Sequence, residues 1–270
     1  MLFLIGCTLP QNPDPTTAPP IIPPADTIQA PIESALPTAQ PPTATATTVV
    51  EGWQLLQPGL EQRRYELDNA EFLAVRVDPN LFTFRAHYRA GDALRLNTWA
   101  DELPSAHIII NANFFDPQNE TLGLLISDGQ AFGSAYRDRG GMFYVQNGIP
   151  RIRSNTAEPY YGGEVIEQAV QAFPMLVLDG VQTYTNNSRV ARRTAIGQDA
   201  QGRIILLVTA RGSISLAGLS AFLATSDMNL TRAFNLDGGG STMMAVNTPD
   251  VSFQVNTFDA VPVVLAVYPR

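Results

Sequence analysis

Between the apolar runs Ala233-Phe234 and Met243-Met244-Ala245-Val246 the chain reads Asn235-Leu236-Asp237-Gly238-Gly239-Gly240-Ser241-Thr242. Three consecutive glycines lose more backbone entropy on folding than an ordinary loop demands. Such a turn therefore points to positive φ angles, or to a ligand lying against bare backbone. The flanking runs read as strands, so the motif is a strand–turn–strand with one carboxylate, Asp237, entering and one hydroxyl, Ser241, leaving. A phosphate-cradling P-loop would place Lys after the last glycine and a helix beyond it; here Ser-Thr leads into a strand-like run. Taken alone, the turn is equally readable as plain β structure, and the rest of the chain has to supply the context.

The chain has 270 residues, 45% of them hydrophobic, and a net charge of −8. That is enough to bury one substantial core. Its basic residues are single arginines or pairs, so no stripe exists to reward a phosphate backbone, and nucleic acid is excluded as a partner. A single cysteine, Cys7, rules out an internal disulfide and a thiolate metal site. Leu4-Ile5-Gly6-Cys7 has the form of a lipoprotein signal end, which makes Cys7 the expected lipidation site, although the apolar run before it is short and has no charged n-region. Residues 8–50 are Pro, Thr, Ala and Gln with almost no aromatics, a composition that cannot offset chain entropy and reads as an extended, disordered tether. The expected organisation is a partial signal at 1–7, a linker at 8–50 and one folded domain at 51–270.

Within that domain, Phe72–Val77, Leu81–Tyr88, His107–Asp116, Leu122–Ile126, Gly141–Val145, Ala172–Leu178 and Val261–Val267 are rich in strand formers. Arg193–Gly197 and Arg203–Thr209, joined by Asp199-Ala200-Gln201-Gly202, read as a hairpin. Only two helices are expected: Leu96–Leu103, with Trp99 and Leu103 on one face, and a stretch capped by Ser215 with Leu216, Leu219 and Leu223 at helical spacing. Many strands and few helices without strict alternation predict an α+β domain of mixed, mostly antiparallel sheet.

Three segments then fall into register. Asn111-Ala112-Asn113-Phe114-Phe115-Asp116, Arg193-Thr194-Ala195-Ile196-Gly197 and Asn235-Leu236-Asp237-Gly238-Gly239-Gly240-Ser241 together resemble the phosphodiester glycosidase family, the family of the lysosomal uncovering enzyme and of bacterial exopolysaccharide-related proteins. The similarity also takes in Val75-Arg76-Val77-Asp78-Pro79, Trp99 and Glu120-Thr121-Leu122-Gly123. The chain departs from the family's pattern at Ala112 and Asn113, where glycine is common, at Thr209-Ala210-Arg211-Gly212, where Asp-Gly-Arg and a longer loop are common, and at Phe258-Asp259-Ala260, where an arginine is common.

The resemblance implies hydrolysis of a sugar whose anomeric oxygen is esterified to phosphate. A phosphomonoester leaves as a stable anion, so a cation can replace much of the general acid, and Arg193 has the planar fork that suits phosphate. The sugar side requires a carboxylate for an oxocarbenium-like centre or for water activation, and Asp237 is the first choice. Asp116 and Glu120 are candidates for a second. Asn113, Thr194, Ser241 and Arg211 are expected among the substrate contacts, with Phe114 stacking on a sugar face and Gly238, Gly239 and Gly240 offering backbone N–H groups. As plain structure, Phe114 and Phe115 would be core and Asp116 a turn former. His87 and His107 have no partner at ligand spacing. No cofactor is required, although a divalent cation could join the aspartates near the glycine turn. The expected protein is an extracytoplasmic hydrolase of the cell envelope, lipid-anchored or secreted, with a glycan phosphodiester as partner. The competing reading is a non-catalytic glycan-binding lipoprotein on the same fold, and a third is a glycosidase for neutral sugars.

Overall fold

The computed structural model describes residues 52–270 apart from positions 68 and 187; Cys7 and the 8–50 segment lie outside the described residues. Three antiparallel sheets surround one core. The largest has eight strands in the spatial order Gln54–Gln57, Leu60–Leu67, Ala70–Val77, Ile204–Gly212, Thr194–Asp199, Leu230–Asn235, Met175–Leu178 and Val181–Gln182. A second, of five strands, runs Ile149–Ser154, Gly141–Gln146, Gln168–Ala172, Leu125–Ser127, Gln130–Phe132. The third, also of five, runs Ser252–Val255, Met244–Asn247, Ile108–Asn111, Val263–Pro269, Phe82–Tyr88. Phe114–Phe115 and Thr121–Leu122 form a separate two-stranded ribbon.

Alternation along the strands decides which face meets which neighbour. Leu73, Val75, Leu206 and Val208 of the large sheet meet Phe143 and Val170 of the second and Ile108, Ile110 and Leu265 of the third in one buried cluster. The intervening residues Phe72, Ala74, Ile205 and Leu207 face the opposite way and pack beneath the helix Leu216–Thr225. The Ser215 hydroxyl caps that helix by accepting from the Gly218 N–H at 3.0 Å, and Leu219 and Leu223, one turn apart, are its buried face. Ile109, Val264 and Ala266 face outward from the third sheet onto the helix Leu96–Glu102, where Trp99 is 2% exposed and donates its indole N–H to the Val261 carbonyl at 3.0 Å. Few helices and antiparallel sheets are what the strand-rich sequence predicts.

Three expected runs are divided between sheets: His107–Asp116 yields Ile108–Asn111 in the third sheet and Phe114–Phe115 in the ribbon, and Leu122–Ile126 is split between Thr121–Leu122 in the ribbon and Leu125–Ser127 in the second sheet. The run Ala172–Leu178 reads as a single strand, but Gln168–Ala172 belongs to the second sheet and Met175–Leu178 to the large one. The chain changes sheets at Phe173-Pro174, where proline has no N–H to continue a ladder. Another change of sheet occurs at the glycine turn, which carries the chain from Leu230–Asn235 in the large sheet to Met244–Asn247 in the third. The two crossings lie side by side. The Asn235 N–H donates to the Pro174 carbonyl at 2.9 Å.

Candidate active site

Asp237 stands at this seam because its peptide is held from both sides. Its N–H donates to the Ala112 carbonyl at 2.9 Å, and its carbonyl accepts from the Asn111 side-chain amide at 2.6 Å. The other end of Asn111 accepts from the Thr194 hydroxyl at 2.8 Å and from the Met243 N–H at 3.1 Å. One fully buried amide thus ties the central strand of the third sheet to the large sheet and to both ends of the glycine turn. Each such bond contributes about 1 kcal/mol net, but removing the hub would leave several buried partners unpaired at once.

The three glycines have separate causes. A Cβ on Gly238 would sit 2.8 Å from the Arg192 carbonyl, Gly239 takes φ +63°, and a Cβ on Gly240 would fall 1.8 Å from a carboxylate oxygen of Asp259. Their amides are largely spoken for. The Gly238 N–H donates to Asp237 Oδ1 at 2.8 Å and the Gly239 N–H to the Arg192 carbonyl at 2.8 Å. The turn therefore positions carboxylates, and the N–H groups of Gly238 and Gly239 are engaged within the protein.

The Asp237 carboxyl opens onto a cleft of about 410 Å³ walled by Phe114, Phe173, Tyr184, Leu216, Asn235 and Arg193. Burial pushes its pKa up to about 6; hydrogen bonds from Ser241 and Gly238 pull against that rise, and the nearby Asp259 carboxylate adds to it. Arg193 faces the same cleft. Its Nε donates to the Ile214 carbonyl at 3.1 Å and one Nη to the Arg189 carbonyl, while its own N–H is held by the Thr209 hydroxyl at 2.9 Å. Burial lowers its pKa, and among the described residues no carboxylate forms an ion pair with it. A desolvated, braced guanidinium without a counter-ion has the chemistry to hold an anion. Asn235 completes the set. It is 3% exposed and its Nδ2 donates to the carbonyls of Phe173 and Leu236 at 3.1 and 2.6 Å. Those two bonds fix the amide's orientation and leave Oδ1 as a buried acceptor without a partner in the cleft wall.

The remaining expected residues are distributed unevenly. Phe114 lines the cleft with its ring 4.8 Å from that of Phe173, whereas Phe115 packs into the core beside the helix Leu96–Glu102. Thr194 is fully buried behind the cleft and acts on Asn111, and Ser241 lies beneath the Asp237 carboxyl. Asn113 donates to the Leu124 carbonyl at 3.1 Å and is not among the cleft's lining residues. Asp116 and Glu120 also lie off the cleft: Asp116 Oδ1 accepts from the N–H groups of Gln118 and Glu120 at 2.9 Å, and Glu120 accepts from the Tyr88 hydroxyl at 2.6 Å. Arg211 lines a neighbouring hollow and pairs with Glu71 at 3.2 Å. His87 is bonded to the Tyr268 hydroxyl and His107 to Gln57, both away from the cleft. Among the described residues no three His, Cys, Asp or Glu side chains gather to hold a metal ion, and no helix is long and apolar enough to cross a membrane.

The family model for phosphodiester glycosidases matches residues 104–268, a span that contains every residue lining this cleft. The chain belongs to the phosphodiester glycosidase family. Bovine N-acetylglucosamine-1-phosphodiester alpha-N-acetylglucosaminidase is 29% identical over 167 residues, a match that takes in 51% of this chain and 30% of the bovine protein. In fold, the chain superposes on the zebrafish N-acetylglucosamine-1-phosphodiester alpha-N-acetylglucosaminidase catalytic domain, in a form auto-inhibited by its pro-peptide, with a TM-score of 0.62 at 17% identity, covering 80% of this chain and 86% of that one. A hypothetical protein of Synechocystis gives 0.51 at 18% identity, covering 78% of this chain and 62% of that one.

Four residues in or behind the cleft were assigned no role from the sequence. Phe173 and Tyr184 arrive from segments without a motif. Asp259 reaches the glycine turn because its N–H donates to the Gly240 carbonyl at 3.1 Å, a contact across the chain that no local pattern announces. Asn111 did carry a signal: it is the polar end of the apolar run Ile108-Ile109-Ile110, with Thr194 equally polar in a buried strand.

Proposed function

We propose that the chain hydrolyses a sugar-1-phosphodiester, of the N-acetylglucosamine-1-phosphodiester type, in a cell-surface glycan or polysaccharide. The observation that carries this reading is the pair that lines one aromatic-walled cleft: a buried carboxyl, Asp237, and an arginine, Arg193, without a carboxylate partner among the described residues. In the reaction the bond from C1 to the phosphate oxygen breaks, its electron pair leaves with the phosphate, and the oxygen of water ends on C1. The departing phosphomonoester is stabilised as an anion by Arg193, so no strong general acid is required. Asp237 acts ionised, against the positive charge that develops at C1, and is in that form above about pH 6. Phe114 and Phe173 pack on the sugar face, and the Asn235 Oδ1 accepts from a sugar N–H or O–H. Placement outside the cytoplasm, through a lipid on Cys7, rests on the Leu4-Ile5-Gly6-Cys7 motif alone.

The test is turnover of a chromogenic N-acetylglucosamine-1-phosphodiester by the full chain beside Asp237→Asn. Free sugar from the wild type and none from the variant is the expected result. Binding without turnover by the wild type, across several sugar-1-phosphodiesters, would instead establish the glycan-binding alternative.

A further inference from the structure

In the extended segment that enters the strand Thr194–Asp199, consecutive side chains point to opposite sides. Arg193 therefore lines the cleft with Asp237, and Arg192 lines a second hollow of about 840 Å³ beyond the glycine turn. The two hollows share Ala191 and Gly239 and form one trough. Arg192 is half-buried. It donates to the Asn256 carbonyl at 3.0 Å and its guanidinium lies 5.2 Å from the ring centre of Phe258. No carboxylate among the described residues forms an ion pair with it, and burial lowers its pKa.

Elsewhere in the hollow, Arg64 and Arg211 share one carboxylate, that of Glu71. Three guanidiniums against Glu71 and the Asp259 carboxylate at the glycine turn leave one positive charge in excess, in a chain whose net charge is −8. Phe258, 72% exposed, offers a bare aromatic face beside that charge. The ring suits the C–H face of a sugar, and an unpaired, partly desolvated guanidinium suits a phosphate or carboxylate.

We infer that this hollow is a second binding site, which takes the leaving side of the substrate as a sugar unit bearing a further anionic group. The preferred substrate is then an anionic glycan chain laid along the trough, with the scissile phosphate at the glycine turn between Arg193 and Arg192. This inference rests on the glycosidase reading and extends it from a bond to a class of polymer.

Two probes separate the possibilities: the methyl diester of N-acetylglucosamine 1-phosphate, and the diester of the same sugar phosphate to O6 of glucose 1-phosphate. The full chain should favour the charged probe by about tenfold in kcat/KM, chiefly through KM, and Arg192→Gln should bring the ratio to within about twofold of unity. Raising salt to about 0.5 M should erode the wild-type preference in the same direction. Phe258→Ala, which leaves every charge in place, should reduce the preference without removing its salt dependence. Equal rates for the two probes in the wild type would overturn the second site and leave the glycosidase reading standing. Cleavage of neither by a folded protein would overturn the glycosidase reading; calorimetric titration of the charged probe then decides the hollow, since binding lost in Arg192→Gln sustains it and absence of binding to the wild type overturns it.

Discussion

Replacing Asp237 by Asn should make the protein more stable while abolishing its turnover. Folding moves this carboxyl from 3.8 to about 6, mainly by burial. At about 1.4 kcal/mol per pH unit, holding it ionised in the folded state costs up to about 3 kcal/mol at neutral pH. Between pH 3.8 and about 6 the folded protein binds a proton that the unfolded chain releases, so the group's contribution is fully present below 3.8 and is lost as pH rises through about 6. Asn keeps an oxygen for the Gly238 N–H and carries no charge. The expected gain at about pH 7.5 is therefore roughly 1–3 kcal/mol, or about 2–12 °C in melting temperature for a domain of this size. The gain should shrink toward zero below about pH 4. Thermal melts of both proteins across that range measure it directly. A stability difference that does not change with pH would refute the reasoning, because it would mean the carboxyl titrates alike in folded and unfolded chains.

The same carboxyl sets the pH dependence of catalysis: kcat/KM should rise with pH to a midpoint near 6 and then level off, and Asp259→Asn should move that midpoint down by removing the neighbouring negative charge; an unmoved midpoint would take Asp259 out of the site. Arg193→Lys should lower kcat/KM by about 10²-fold for a phosphodiester, since a point charge replaces a braced fork, and circular dichroism would separate this from loss of the Ile214 and Arg189 contacts. Asn235→Ala should destabilise by about 1–3 kcal/mol in denaturant melts, because the Phe173 and Leu236 carbonyls lose their buried donor, and should raise KM; an unchanged KM would show that Oδ1 meets no substrate group.

What could be read from the sequence is what short-range physics writes there. Alternation exposed the strands, the Ser215 cap and the Leu219–Leu223 spacing exposed a helix, and three glycines in a row exposed the turn. The causes of those glycines were not legible, because the Arg192 carbonyl and the Asp259 carboxylate that crowd them come from 46 and 19 positions away in the chain. For the same reason the sequence could not place Asn113, expected as a substrate contact, or Asp116, expected as a second carboxylate: the Asn113 amide donates to the Leu124 carbonyl, and Asp116 accepts from the backbone of the turn that joins Phe114–Phe115 to Thr121–Leu122. The reverse error befell Asn111, whose contacts lie 83, 126 and 132 residues away.

Asn111 also makes the cleft a pressure point on the whole molecule. The large and third sheets are joined across it, so the geometry of the cleft exists only while those sheets remain docked, and a ligand gripped on both sides of the glycine turn would act as a clasp on their seam. Occupancy of the cleft should then slow hydrogen exchange at amides that never touch the ligand, among them that of Met243, whose acceptor is Asn111 itself.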